Sequence, residues 1–222
     1  INYKDFFPKE ISKKFTLEQL RKKGFTVKYI ANDFNLEELK NAGYTVRELI
    51  EAELTRNDFT LRQFKDAGYD ILELKNAGFD LDEIIKDGGF TANEFIIAKY
   101  DAEKLKNLGY NTSDLKKIGF SVNNLIEAKF KPQNIARRYN KEEFENAGFT
   151  AIDLKNKGFT AEDLKNAGFT GKNLKDAGYN LSELRNVLRH TKDLKDAGFT
   201  ADDLKNAGFT AEDLKDAGFT ES

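Results

Sequence analysis

Apolar positions return along this chain on a beat of about five residues. An aromatic or aliphatic anchor recurs as Phe15, Leu20, Phe25 and Ile30, and later as Phe144, Phe149, Leu154, Phe159, Leu164, Phe169 and Leu174. Two beats make one ten-residue phrase. Residues 147–216 read AGFTAIDLKN, KGFTAEDLKN, AGFTGKNLKD and AGYNLSELRN, then after one irregular unit AGFTADDLKN and AGFTAEDLKD. A more diverged form runs back through Ala42-Gly43-Tyr44-Thr45, Ala67-Gly68-Tyr69, Ala77-Gly78-Phe79, Leu108-Gly109-Tyr110 and Ile118-Gly119-Phe120. Self-similarity at a fixed period is the mark of a repeat architecture.

Thr160 to Thr170 serves as the representative unit. Thr160 suits an N-cap, whose hydroxyl accepts from an orphan N–H of the first turn. Asp163, three residues on, can reach back to close a capping box, although Asp is shorter than the usual Glu. Acids at Glu162 and Asp163 suit the positive end of the helix dipole, and Lys165 suits the later turn. Glu162 and Lys165 are spaced as an i,i+3 pair. Gly168 falls where a left-handed residue ends a helix. Phe159 and Leu164 are placed as a hydrophobic staple, and Leu164 and Phe169 as the apolar pair of a Schellman end. One ring thus clamps the end of one helix and the start of the next. A helix of about seven or eight residues is below the roughly 12–15 at which an isolated helix is marginal in water. Stability must then come from stacking against neighbours.

The five-residue beat also fits a pentapeptide-type β-solenoid, with Leu or Phe inside and a small residue two positions earlier. Ala167 before Phe169 satisfies that rule. Glu162, Lys172, Asp202 and Glu212 before Leu164, Leu174, Leu204 and Leu214 break it, because their charges would enter a dry core. The expected fold is therefore all-α: an elongated superhelical α-solenoid of roughly twenty short-helix repeats. It is read as one continuous array over 1–222, with a divergent unit at 1–14, diverged repeats at 15–140 and near-consensus repeats at 141–222.

Some units depart from the phrase. Tyr29–Phe34, Leu49–Leu54, Phe95–Tyr100 and Leu125–Phe130 lose the glycine and gain an apolar residue after the anchor. Ile50, Ile96 and Ile126 either fill contacts between turns or form an apolar stripe that docks a partner. Asp33, Glu53, Lys99 and Lys129 stand where glycine is expected, at a cost of about 1 kcal/mol if φ is positive there. Spacing slips between Leu54 and Phe59, at Gly88-Gly89, and between Pro132 and Tyr139. Val187-Leu188-Arg189-His190 keeps the spacing but replaces glycine, ring and cap. These slips are read as bends.

Composition narrows the chemistry. Apolar residues make up 39% and charged residues 33%, as in a folded protein, and Cys and Met are absent. A Met-free chain that begins at Ile1 is expected of a fragment or processed product. The net charge of −2 does not favour nucleic acid or an anionic membrane as a bulk partner. No window is apolar enough for a membrane span. His190, the only histidine, takes the place of a capping Thr, so a His-based metal site or a Ser-His-Asp triad is not expected. Asp80, Asp82, Glu83 and Asp87 cluster without EF-hand spacing. No phosphate-loop or dinucleotide motif occurs. Asn111-Thr112-Ser113 and Asn180-Leu181-Ser182 match the glycosylation sequon in an Asn-rich chain. Residues 1–30 hold eight bases against three acids, and residues 191–222 four against eight, so a head-to-tail contact between copies is electrically favoured.

Ala207-Gly208-Phe209-Thr210-Ala211-Glu212-Asp213-Leu214-Lys215 resembles the "AGF[ST]xxxLK" tandem decapeptide repeats of bacteria, protists and large DNA viruses. The resemblance covers nearly the whole chain, is tight over 141–219, and implies a short-helix solenoid without implying any functional residue. The expected role is a non-catalytic protein-interaction scaffold; the alternative is a structural component that self-assembles into a larger particle or filament. No catalytic residue, cofactor, metal or small-molecule substrate is expected. The expected partner is a protein or a second copy, not nucleic acid or membrane. The cytoplasm is the favoured location, and a virion or other large assembly is the alternative.

Overall fold

Thr160 starts its helix as the phrase predicts. The Asp163 N–H donates to the Thr160 hydroxyl (3.1 Å), and the Thr160 N–H donates back to the Asp163 carboxylate (2.9 Å). The shorter acid therefore does close the capping box. At the other end Gly168 has φ +96°; its N–H donates to the Lys165 carbonyl (3.0 Å) and the Phe169 N–H to the Leu164 carbonyl (2.9 Å). These are the two bonds of a Schellman end. The helix between is Ala161–Asn166, six residues, because the closing turn takes what a longer helix would have used.

The computed structural model describes residues 13–30, 34–52 and 59–219. Nineteen α-helices of five to seven residues and one 3₁₀ turn, Val27–Tyr29, lie among the described residues, with no strand. The β-solenoid alternative is thereby excluded: Asp163-Leu164-Lys165 is helical. The chain divides into two compact units, Ile1–Asp101 and Ala102–Ser222.

Within each unit a helix packs mainly on the second helix ahead. Leu36–Asn41 meets Leu61–Asp66, which meets Leu81–Asp87; Val46–Glu51 meets Ile71–Asn76. In the second unit Ala151–Asn156, Gly171–Asp176, Thr191–Asp196 and Ala211–Asp216 form one such series. The physical repeat is thus a pair of phrases, and alternate helices belong to alternate stacks. The central Leu, Ile or Phe of each described α-helix is buried, as are many of the rings that follow a glycine, as in Leu74, Phe95, Leu164 and Phe169, while Phe25, Phe149 and Phe199 are half-buried. Buried rings meet edge to face, as in Phe64 with Tyr69 (5.7 Å between centroids) and Phe144 with Phe159 (5.5 Å).

The departures have local causes. The extra residue at Gly88-Gly89 lengthens Leu81–Asp87 by one and moves the left-handed position to Gly89 (φ +66°). The lost residue shortens Pro132–Ala136 to five, and this helix packs on Ala161–Asn166, three helices ahead instead of two. Lys99 and Lys129 hold the glycine position with φ +64° and +55°, so the strain foreseen there is present. Asp33, Glu53 and the slip after Leu54 lie outside the described residues. His190 is an N-cap without a side-chain cap bond.

Candidate functional site

The side chain that ties the stacks together is the base that follows the central Leu or Phe. In nine turns its cation stands 4.5–5.4 Å from the centre of the ring two phrases ahead: Arg21 over Tyr44, Lys40 over Tyr69, Lys65 over Phe90, Lys106 over Phe130, Lys116 over Tyr139, Lys155 over Tyr179, Lys175 over Phe199, Arg185 over Phe209 and Lys195 over Phe219. Most of these bases also donate to a carbonyl at that helix end. Lys65 reaches Gly89 at 2.6 Å and Lys106 reaches Ala128 and Lys129 at 2.8 Å; Lys155, Lys175 and Lys195 reach Gly178, Gly198 and Gly218. Helix-end carbonyls lack intrahelical donors and carry partial negative charge, so a cation from another turn satisfies both. Tyrosines add a second tie: the hydroxyls of Tyr44, Tyr69, Tyr139 and Tyr179 donate to the carbonyls of Phe25, Tyr44, Phe120 and Phe159. Burial pushes the Tyr179 hydroxyl up to about 12, with Glu183 and Asp163 adding to it.

Shallow grooves recur along the chain, lined by the same positions of the phrase. One, of about 440 Å³, is lined by Arg21, Gly24, Phe25, Thr26, Val27, Lys28, Tyr44, Glu48, Glu51 and Ala52. A second, of about 420 Å³, is lined by the ten residues at the same positions, from Glu145 and Gly148–Ile152 to Phe169, Asn173, Asp176 and Ala177. A third, with Lys175, Phe199 and Asp203, uses a subset of them. Rings, glycine and cap make the walls. The rim is set by the second and last helical residues: Lys28 and Glu51 in the first groove, Ile152 and Asp176 in the second.

Ile50, Ile96 and Ile126 occupy the position of the tying base. Ile50 and Ile126 are half-buried and Ile96 is 38% exposed; Ile126 lies in a different unit from the other two. Other apolar side chains stand out further, Ile97 at 69% and Ile152 at 52%. The signal for them was an aliphatic residue at a place in the phrase that is usually polar. The reach of the bases was also missed. Lys165, assigned to its own helix, stands outside the lattice because the turn two phrases ahead is the irregular Val187–His190; its expected pairing with Glu162 is not formed.

No group of three or more potential metal ligands is present among the described residues. Asp80 and Glu83 form a capping box. Both sequon asparagines are N-caps: the Asn111 carboxamide accepts from the Ser113 and Asp114 N–H groups, and that of Asn180 from Glu183. No described helix is long and apolar enough to cross a membrane.

Comparison with known proteins returns one family. Its profile matches residues 12–85, 58–132, 83–151, 136–188 and 158–222, together nearly the whole chain. No curated protein and no solved structure matches. Capped six-residue helices, glycine-ring turns and the profile agree: the chain belongs to the decapeptide repeat region family.

Proposed function

We propose that this array is a non-catalytic scaffold that binds partner proteins along its grooves. The observation that carries the reading is the groove itself, which recurs with constant walls and a rim that changes from turn to turn. A surface of that kind offers a partner several spaced contacts of individual chemistry, which is how stacked repeats engage extended ligands. The Asp and Glu of the described capping boxes are engaged by their cap and, in Glu48, Glu73, Glu94 and Glu143, by a base of another helix, which supports a structural over an acid-base role for acids that look paired in the sequence.

The test is affinity capture with the whole chain, followed by cross-linking to map contacts. Alanine at the rim residues Lys28 and Ile152, and at Arg47, which lines a further groove with Thr45, Glu73 and Asn76, should weaken capture while circular dichroism stays unchanged; Ala at Ile50, Ile96 and Ile126 tests the stripe in the same assay. Capture indifferent to all six would sink the reading. Self-assembly predicts another result: light scattering would show particles that grow with concentration and shrink with added salt, as the opposed charges of 1–30 and 191–222 require.

A further inference from the structure

The groove between Glu145 and Ala177 differs from its siblings in one respect, and the difference says what fits it. In nine turns the residue after the central anchor is a base that covers the ring ahead, and most of the nine also bind a helix-end carbonyl; seven of them are lysines. After Phe144 this residue is Glu145. A carboxylate cannot donate to a carbonyl and is repelled by a ring face. Glu145 turns back instead to Lys141, four residues earlier (3.4 Å). Gly168, the glycine ahead, keeps its φ of +96°; the Ala167 carbonyl beside it accepts from the Lys141 backbone N–H at 2.7 Å, but the Gly168 carbonyl receives none of the lysine bonds that Gly178, Gly198 and Gly218 receive.

The charge of the groove is altered too. Its lining holds two acids, Glu145 and Asp176, and no base, whereas the Arg21 groove holds two of each. Asp176 is held only by Lys172 at 3.1 Å, an exposed pair within one helix like Lys141–Glu145. Such pairs give way readily to a competing cation. The wall beside them is apolar: Phe149, Ala151 and the 52%-exposed Ile152 stand over the buried Phe169.

We propose that this groove takes a lysine side chain from a partner protein, which supplies the tie that Glu145 denies. The butyl stem lies along Phe149 and Ile152. The ammonium donates to the Gly168 carbonyl and the carboxylates of Glu145 and Asp176. The proposal rests on the scaffold reading and names the chemistry of one contact.

The test is a ¹⁵N NMR titration of the full chain with the blocked peptide Gly-Gly-Lys-Gly-Gly, beside the same peptide carrying norleucine. Amides of 148–152 and 169–177 should shift with millimolar affinity for lysine and at least ten-fold weaker affinity for norleucine. The Lys175 groove, filled by the chain's own lysine, is the internal control and should stay still. Glu145→Lys should abolish the response, and Glu145→Gln should weaken it several-fold if the lysine variant fails to fold. Equal response to norleucine, equal shifts at the Lys175 groove, or an unaltered response in both variants would overturn the proposal. Captured partners that still depend on other rim residues would leave the scaffold reading standing when the lysine contact fails.

Discussion

Helices 17–97 and helices 151–216 share one apolar skeleton and lace it differently. In the first stretch the acid that closes the capping box is mostly Glu, and it does two things. Glu48 accepts from the Thr45 N–H at 2.7 Å and pairs with Arg21 at 3.3 Å; Glu94 accepts from Thr91 at 2.7 Å and pairs with Lys65 at 3.4 Å; Glu73 joins Asp70 to Lys40. In the second stretch the acid is mostly Asp. Asp153, Asp203 and Asp213 close their boxes at 2.8 Å, but among the described residues of that stretch no ion pair links two helices. One methylene separates the modes: the cap fixes the carboxyl near its own helix end, and only the longer acid also meets the base. The shared skeleton therefore carries most of the stability, and the polar lacing adjusts it.

The comparison breaks first in the core. Phe64 is fully buried among Phe59, Tyr69 and Phe79, and Leu174 is equally buried in the second stretch. Phe64→Ala should cost about 3–5 kcal/mol and Leu174→Ala about 2–5, read as urea midpoints. Similar losses support a common skeleton; a loss below about 1 kcal/mol in either would refute it. Next comes Gly171, a first helical residue at the position where Ala151, Ala161, Ala201 and Ala211 stand in other phrases. A Cβ there would lie 2.9 Å from the Leu188 Cδ1 and 3.1 Å from the Ala197 Cβ. Gly171→Ala should destabilise by about 1–3 kcal/mol through overpacking. Leu188→Ala in the same chain should recover part of that loss, since the two sites couple.

Gly171 also marks where sequence reading ends. Caps, boxes and Schellman ends were legible because each is decided within six residues by hydrogen-bond geometry. Packing on the second helix ahead was not, since successive phrases are nearly alike and nothing in one phrase names its partner. The tying lysine was visible as a repeated Leu-Lys, yet its target lies more than twenty residues away, as with Lys155 and Gly178. Likewise Val187-Leu188 was legible as an irregular unit, but that Leu188 presses on Gly171 follows only from the stacking. Ile50, Ile96 and Ile126 were legible as departures; that they replace the tie was not.

Acid should loosen both stretches, by the sum of many caps. The amide N–H and hydroxyl of Thr200 hold the Asp203 carboxyl below its usual range, and Thr210 does the same for Asp213. For Glu94 burial works upward, but Thr91 and Lys65 outweigh it and the net shift is down. A depressed folded value stabilises at pH above the unfolded value, about 3.9 for Asp and 4.3 for Glu, and is lost as pH falls through the folded one. The melting temperature should hold from neutrality to about pH 5 and then drop. A melting temperature that rises below pH 4.5 would contradict the assignment. A smaller effect, a gain of about 1 kcal/mol, is expected for Lys129→Gly, which relieves a left-handed lysine at φ +55°.

The finest test exchanges the lacing itself. Glu94→Asp should keep the bond to Thr91 and lose the reach to Lys65, costing under about 1 kcal/mol because both partners are part-exposed. Asp203→Glu should do the reverse, bringing a carboxylate toward Lys175, whose ammonium already sits 4.6 Å from the Phe199 ring. Energies this small are best read by their salt dependence. Between low salt and 1 M, where screening shortens to about 3 Å, the stability gap between Glu94→Asp and the parent should shrink, and the gain in Asp203→Glu should vanish. If both variants respond to salt as the parent does, acid length is incidental to the stacking. The tie then rests on the ring and the carbonyl alone, and the first stretch has no electrostatic advantage over the second.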